Sequence, residues 1–306
     1  MAINTLEMAK IFQQELDKQM LTVGTSGWME ANASNVKYNG GDTVRMPMIT
    51  TTGLAKYDRD DGFNQGAVTL AYKDYTLTQD RGRTFQLDSM DVDESNFIAS
   101  AGSVMGEFQR LQVAPEIDAY RYSRITALAK GAAHESAAFT PTKDNILGKL
   151  DEEITKLQDI IGEDEPLVLI MATPVRTILN GAKDVTRYLD VADFKAGAVN
   201  TKVRTYNEIP ILSVPSARMK TAYIFADGKT TGQEAGGFKA DTGAKAINWI
   251  LMARRAPIAI SKTDKVRIFE PDTNQKADAW KLDYRKFHDL WIPSNKLAGV
   301  WVNTGA

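Results

Sequence analysis

Between Thr43 and Asp88, two stretches of strand pattern flank a charged, glycine-punctuated tip, and no other feature constrains the chain as tightly. Thr43-Val44-Arg45-Met46-Pro47-Met48 begins the first stretch. Pro47 has no backbone N–H to donate, which confines this strand to an edge or an end. In the second stretch Val68, Leu70 and Tyr72 alternate with Thr69, Ala71 and Lys73, the period of a half-buried strand. Past Asp74, Tyr75 and Leu77 alternate with Thr76 and Thr78. Between the two lies Tyr57-Asp58-Arg59-Asp60-Asp61-Gly62-Phe63-Asn64-Gln65-Gly66. Long strands around such a tip predict a projecting hairpin with unpaired edges, which a solitary soluble protein normally protects. The expectation is that another subunit covers this loop.

The segments on either side are helical and mixed. Leu6, Ala9, Ile11, Phe12, Leu16 and Met20 recur at three- and four-residue spacing, predicting an amphipathic helix on a glycine-containing leash. From Ser95 or Asp93 a second stripe runs through Phe97, Ala101, Val104, Met105, Phe108 and Leu111, and continues through Ile117, Tyr120, Ile125 and Leu128 to Gly131. Pro115 interrupts the hydrogen-bond ladder, so a kink is expected within this spine. After Pro141 the pattern turns α/β: a helix from Ile146 to Ile161 ended by Gly162, an apolar strand at 167–172, then Thr173-Pro174 as N-cap and N1 of another helix ended by Asn180-Gly181. Further strands are expected at 209–214, 222–225, 247–252, 280–291 and 297–302.

Several chemistries are excluded or unsupported. The 306 residues, about two average domains' worth, include no cysteine, so there is no disulfide, thiolate metal site or cysteine nucleophile. Two histidines, His134 and His288, do not make a metal cage; the first reads as a surface residue and the second as a structural one. No apolar run approaches the roughly 20 residues that cross a bilayer. The strand–turn–helix at Leu167–Thr177 reads Ala172-Thr173-Pro174-Val175 where a dinucleotide fold carries glycines, and no P-loop or nucleophile elbow appears. A calcium loop started at Asp91 would put Asn96 where glycine is needed and Gly102 where a bidentate glutamate is needed. No nucleophile–base–orienter set appears, and the expectation is a non-enzyme with no cofactor and no metal. Charge is uneven: Gly243–Ala306 carries net +5 and the preceding residues net −7, which suggests complementary faces within or between subunits.

Four stretches, in order, resemble the major capsid proteins of tailed bacteriophages. They are Leu77-Thr78-Gln79-Asp80-Arg81-Gly82-Arg83-Thr84-Phe85-Gln86-Leu87-Asp88 running into Met90–Glu94; Gly106-Glu107-Phe108-Gln109-Arg110 followed by Val113–Arg121; Ile209-Pro210-Ile211-Leu212-Ser213-Val214-Pro215-Ser216-Ala217-Arg218-Met219; and Arg267-Ile268-Phe269-Glu270-Pro271-Asp272 with Asn274-Gln275, Ala277–Trp280 and Asp283-Tyr284-Arg285. The resemblance implies an α+β fold: an N-terminal arm (1–40), an extended β-hairpin loop and its base (41–90), a peripheral domain with a long spine helix (91–164), a mixed α/β axial domain (165–283) and strands returning to the peripheral domain (284–306). It implies hexamers and pentamers tiling an icosahedral shell around double-stranded DNA, in the virion capsid, assembled in the cytoplasm of a bacterial host. A portal is implied too, no membrane contact, and, because the chain starts directly with the arm, a separate scaffolding protein or an already processed form. DNA contact is expected to be weak and nonspecific, through the basic C-terminal segment. Arg81 and Arg83, two apart on one strand, share a face. They are expected to pair with a neighbour's Asp58, Asp60 or Asp61, with an intrasubunit bridge at the loop base as the alternative. An encapsulin-type compartment has the same fold, and a cytosolic α/β enzyme is the competitor from another class.

Overall fold

The computed structural model describes residues 24–35, 41–57, 59–60, 62–94, 101–182, 189–196 and 199–306. The helix expected over Leu6–Met20 lies outside them, as do Asp58, Asp61 and the expected helix start at Ser95. After a 3-10 turn at Gly27–Asn35, β1 (Thr43–Thr51) and β2 (Val68–Thr76) form an antiparallel ribbon. β3 (Gln79–Asp88) runs into the short α1 (Ser89–Glu94). The spine is α2 (Ala101–Phe108), a π-helical stretch at Gln109–Val113, and α3 (Ala114–Gly131). Next come β4 (Glu135–Ser136), α4 (Ile146–Ile161), β5 (Leu167–Ala172) and α5 (Thr173–Asn180). β6 (Leu189–Ala196), β7 (Val199–Tyr206) and β8 (Ile209–Val214) follow, then β9 (Tyr223–Phe225) and β10 (Phe238–Ala240). The chain closes with β11 (Ile247–Ala253), β12 (Ile258–Phe269), β13 (Ala279–Trp291) and β14 (Val300–Thr304).

Two sheets organise the body. A seven-stranded mixed sheet has the order β4-β14-β11-β5-β8-β7-β6, and an antiparallel three-stranded sheet has the order β12-β13-β3. Every residue of β5 and β11 is buried, so both faces of the larger sheet's centre are covered. The main core packs these strands against Tyr122, Ile125 and Ala129 of α3, Ile146, Leu150, Ile154 and Leu157 of α4, and Val175 and Leu179 of α5. The 3.6-residue period of α4 places its apolar residues on that core, and Gly162, with φ +88°, ends it.

The spine departs from a plain kink. Pro115 lacks an N–H and its ring clashes with the carbonyl four residues back, at Leu111. The chain meets this with wider π-helical bonding over Gln109–Val113 and restarts α3 with the proline in its first turn. Thr173 does not cap α5: that helix starts at Thr173 itself, whose hydroxyl donates to the Val214 carbonyl (3.0 Å) and ties α5 to β8. The expected strand at 297–302 begins at Val300, after a 3-10 turn at Ser294–Gly299.

The division of the chain differs from the expectation in two places. The boundary at 283/284 falls inside β13, and β14 joins the seven-stranded sheet between β11 and β4 instead of returning to the smaller one. α4 and the second half of the spine, Tyr122, Ile125 and Ala129 of α3, share the core of the larger sheet.

Candidate assembly surfaces

The ribbon β1–β2 is registered so that Ile49 faces Leu70, Pro47 faces Tyr72 and Thr51 faces Val68. Directly opposed residues, and those two apart, share a face. One face therefore carries Pro47, Ile49, Val68, Leu70 and Tyr72, bounded towards the body by an Arg45–Asp74 ion pair (3.0 Å). These apolar side chains are not half-buried as their alternation suggests: Ile49 is 69% exposed, Val68 71%, Leu70 53% and Tyr72 62%. Among the described residues nothing buries this face. The opposite face is anchored at its base, where Val44 and Met46 join Leu77, Ile258, Ile260 and Trp291 in a second small core. At the tip, the Thr52 N–H donates to the Ala67 carbonyl (3.1 Å) and the Asn64 amide to the Lys56 carbonyl (2.7 Å), so the loop closes on itself. Phe63 and Tyr57 stack edge-on there, and both are exposed.

Arg81 and Arg83 do share a face of β3, the one turned towards the spine. With Phe85, Phe108, Glu116 and the 226–237 turn they line a cleft of about 550 Å³. The Arg81 fork is engaged by its own subunit. It donates to Glu116 Oε1 (2.7 Å) and Oε2 (3.3 Å) on α3, and to the carbonyls of Ala226 (2.7 Å) and Gly237 (3.2 Å). Arg83 is exposed and donates to the Glu234 carbonyl (3.3 Å). Neither is brought to Asp60 in the subunit, and Asp58 and Asp61 are outside the described residues. The arginine spacing was legible in the sequence. The partner Glu116 was not, because it lies 35 residues away on the spine.

Between the two arginines, Gly82 opposes Arg285 of β13. A Cβ at Gly82 would lie 2.8 Å from the Tyr284 carbonyl oxygen, so this close strand pair requires glycine.

Two buried carboxylates fix the spine to its surroundings, and sequence reading identified neither. Asp118 on α3 accepts from the Thr25 N–H (2.9 Å) and hydroxyl (3.0 Å), the Ser26 N–H (3.0 Å) and hydroxyl (2.6 Å), and Arg218 (2.9 Å). One helical turn on, buried Arg121 donates to the Ser26 carbonyl (3.0 Å) and reaches Glu30. The segment from Gly24 to Glu30 is thereby held on the spine. Asp289 on β13 accepts from the Thr78 N–H (2.9 Å) and hydroxyl (2.8 Å) and from the Tyr120 hydroxyl (2.6 Å), locking the base of the ribbon to the same helix. Burial first, then the Asp289 hydrogen bond, raises the Tyr120 phenol pKa well above its ordinary value.

Beside this pair, His288 is buried edge-on against Tyr120 (5.6 Å), and its Nδ1 has no hydrogen-bond partner among the described residues. Burial, reinforced by the positive charges of Arg121, Lys286 and Arg81, pushes its pKa down to about 3. It is a neutral structural residue, as its aromatic strand context suggests. His134 is half-buried instead of a plain surface residue: its Nδ1 lies 3.0 Å from the Leu297 carbonyl and its ring stacks on Trp301.

Comparison with known proteins places the fold. No family model matches the sequence, and no curated protein does. Among solved structures, the chain is similar to the mature capsid of bacteriophage PhiM1, with 13% identity, a TM-score of 0.63, and 97% of this chain and 91% of that one covered. A chain from Microbacterium phage Oxtober96 gives 14% identity and a TM-score of 0.58 over 99% of this chain and 96% of that one. The capsid of cyanophage P-SCSP1u gives 11% and 0.57 over 87% and 84%. The α+β fold expected from the sequence is the fold of these phage structures.

Proposed function

We propose that this chain is the major capsid protein of a tailed bacteriophage, whose copies assemble as hexamers and pentamers into an icosahedral shell around double-stranded DNA. The observation that carries this reading is the likeness to phage capsid structures over nearly the whole chain, ribbon and spine included. The ribbon supplies the physical reason for assembly. An apolar face left open on a two-stranded projection is a cost to a lone subunit and a binding surface to a neighbour. Burying each such side chain is worth about 1.5–3 kcal/mol, and a shell repeats modest contacts many times.

The role is structural, with no catalytic step. In the assembled shell the ribbon tip, with Asp58, Asp60 and Asp61, contacts a neighbouring subunit. Arg83 is the arginine of the pair proposed to meet it, since the Arg81 fork is spent on Glu116 and two carbonyls. A scaffolding protein and a portal act in assembly, the site of assembly is the bacterial cytoplasm, and the finished location is the virion capsid. Negative-stain microscopy of the purified chain, alone and with a co-expressed scaffolding protein, tests the reading. Closed polyhedra or hexameric sheets are expected, and monomers under both conditions overturn it. Protein cargo instead of DNA in the shells would move the assignment to an encapsulin-type compartment.

A further inference from the structure

The cleft between the three-stranded sheet and the spine is not filled by its own side chains. At about 550 Å³ it has the size of a small-molecule site. On its floor, Arg83 of β3 stands opposite Tyr284 of β13, and Arg81 opposite Lys286. At one end Phe108 of the spine meets Phe85 (4.8 Å) and Tyr284 (5.9 Å) edge-on, and both phenylalanines remain only half-buried. The charges lining the cleft are engaged, with one exception. Arg81 is held by Glu116, Lys286 by Asp264 (2.9 Å) and Asp80 by Arg285 (2.8 Å). Asp227 accepts from the Thr230 hydroxyl (2.7 Å) and from the N–H groups of Thr230 and Lys229 (2.8 Å each). The exception is Arg83, which makes no ion pair among the described residues and donates to the neutral Glu234 carbonyl at 3.3 Å. The turn keeps glycine beside it: a Cβ at Gly236 would stand 3.2 Å from the Arg83 Nη1. His288 also lines the cleft, with its buried Nδ1 unmet among the described residues.

We propose that this cleft binds a small aromatic carboxylate, its ring against Phe85, Phe108 and Tyr284 and its carboxylate on Arg83. The inference goes beyond the capsid reading and does not depend on it. Phe85 and Arg83 are two apart on one face of β3, about 6.6 Å along the strand, a spacing that a ring-bearing acid spans. The ring gains by leaving water for a half-buried aromatic wall. The carboxylate offers Arg83 a charge-assisted, two-pronged bond that a backbone carbonyl cannot make. One uncompensated cation suits a single negative charge, which favours a carboxylate over a phosphate dianion. His288 leaves the cleft able to accommodate one further polar group of a longer acid.

The test is isothermal calorimetry of the purified chain with naphthoate and with its neutral counterpart of similar shape, naphthamide. Naphthoate is expected to bind with a Kd of about 0.1–1 mM and naphthamide about tenfold more weakly. Arg83→Gln is expected to lower naphthoate affinity about tenfold and to make the two compounds equal. Phe108→Leu and Phe85→Leu are each expected to weaken both compounds about threefold. Arg267→Gln, which changes an exposed arginine outside the cleft, leaves both affinities as they are. Thermal melting checks that each variant is folded. The absence of saturable naphthoate binding up to about 10 mM overturns the inference. So does a preference for naphthoate that survives Arg83→Gln, or binding that both leucine variants leave unchanged, which would put the ring elsewhere, such as on the open ribbon face. Arg83 is also proposed to meet a neighbour's ribbon tip, so shells are expected to bind naphthoate more weakly than free subunits. Equal, Arg83-dependent binding in both states supports this site and removes Arg83 from the subunit contact.

Discussion

Arg81 illustrates how one side chain can be read correctly in kind and misplaced in partner. Its guanidinium joins β3, the spine helix and the 226–237 turn, with 24% of the side chain exposed and Glu116 17% exposed. Removing it leaves a half-buried carboxylate and two carbonyls without donors. Arg81→Ala is therefore expected to lower unfolding stability by about 2–3 kcal/mol in denaturant titration, with lysine a poor rescue because one ammonium cannot span the fork. An unchanged unfolding midpoint with lost assembly would return Arg81 to an intersubunit role. His288 gives a pH signature. Its folded pKa of about 3 lies below the unfolded value near 6.5, so the unfolded chain binds the extra proton between those values. This contribution to stability is complete above about pH 6.5 and is lost as pH falls towards 3. His288→Leu should remove the dependence, so the variant gains on the wild type as pH falls through that window. Parallel stability–pH curves for the two proteins would show that the histidine titrates normally.

At the scale of elements, the ribbon and the three-stranded sheet behave differently under change. Gly82 sits where β3 and β13 approach most closely, and a methyl group 2.8 Å from the Tyr284 carbonyl forces the strands apart. Gly82→Ala is expected to destabilise the fold by about 1–3 kcal/mol, measured by thermal unfolding. The ribbon tip is the opposite case. Asn64 donates to the Lys56 carbonyl and the Ala67 N–H to the Thr52 hydroxyl, both within the loop, and Leu54, Tyr57 and Phe63 are exposed. Replacing residues 52–67 by an Asn-Gly turn, which suits a two-residue hairpin, should leave the melting temperature of the subunit unchanged and abolish shells in the microscope. A fall in melting temperature would mean that the tip supports its own subunit.

Across the whole molecule, assembly should change what a protease sees. The 52–67 loop is expected to be cut readily in the free subunit and to resist cleavage in shells, and equal sensitivity in both states would contradict subunit coverage. The sequence by itself determined the elements whose period is strong and local. The stripe from Ile146 to Ile161, the apolar run at 167–172, the Pro174 and Gly181 punctuation and the β1–β2 hairpin each express a rule acting over a few residues. β12 carried the same kind of signal, Val266 and Ile268 alternating with Lys265 and Arg267, yet its charges masked it. Tertiary structure alone decided the rest. It turned the apolar alternation of Val68, Leu70 and Tyr72 outwards, sent β14 to the larger sheet, and gathered Thr25, Ser26 and Arg218 around Asp118 from about 100 residues on either side. The physical reason is that periodicity says a strand has an apolar face but not what covers it, and a buried carboxylate is specified by partners whose distance along the chain no local pattern encodes.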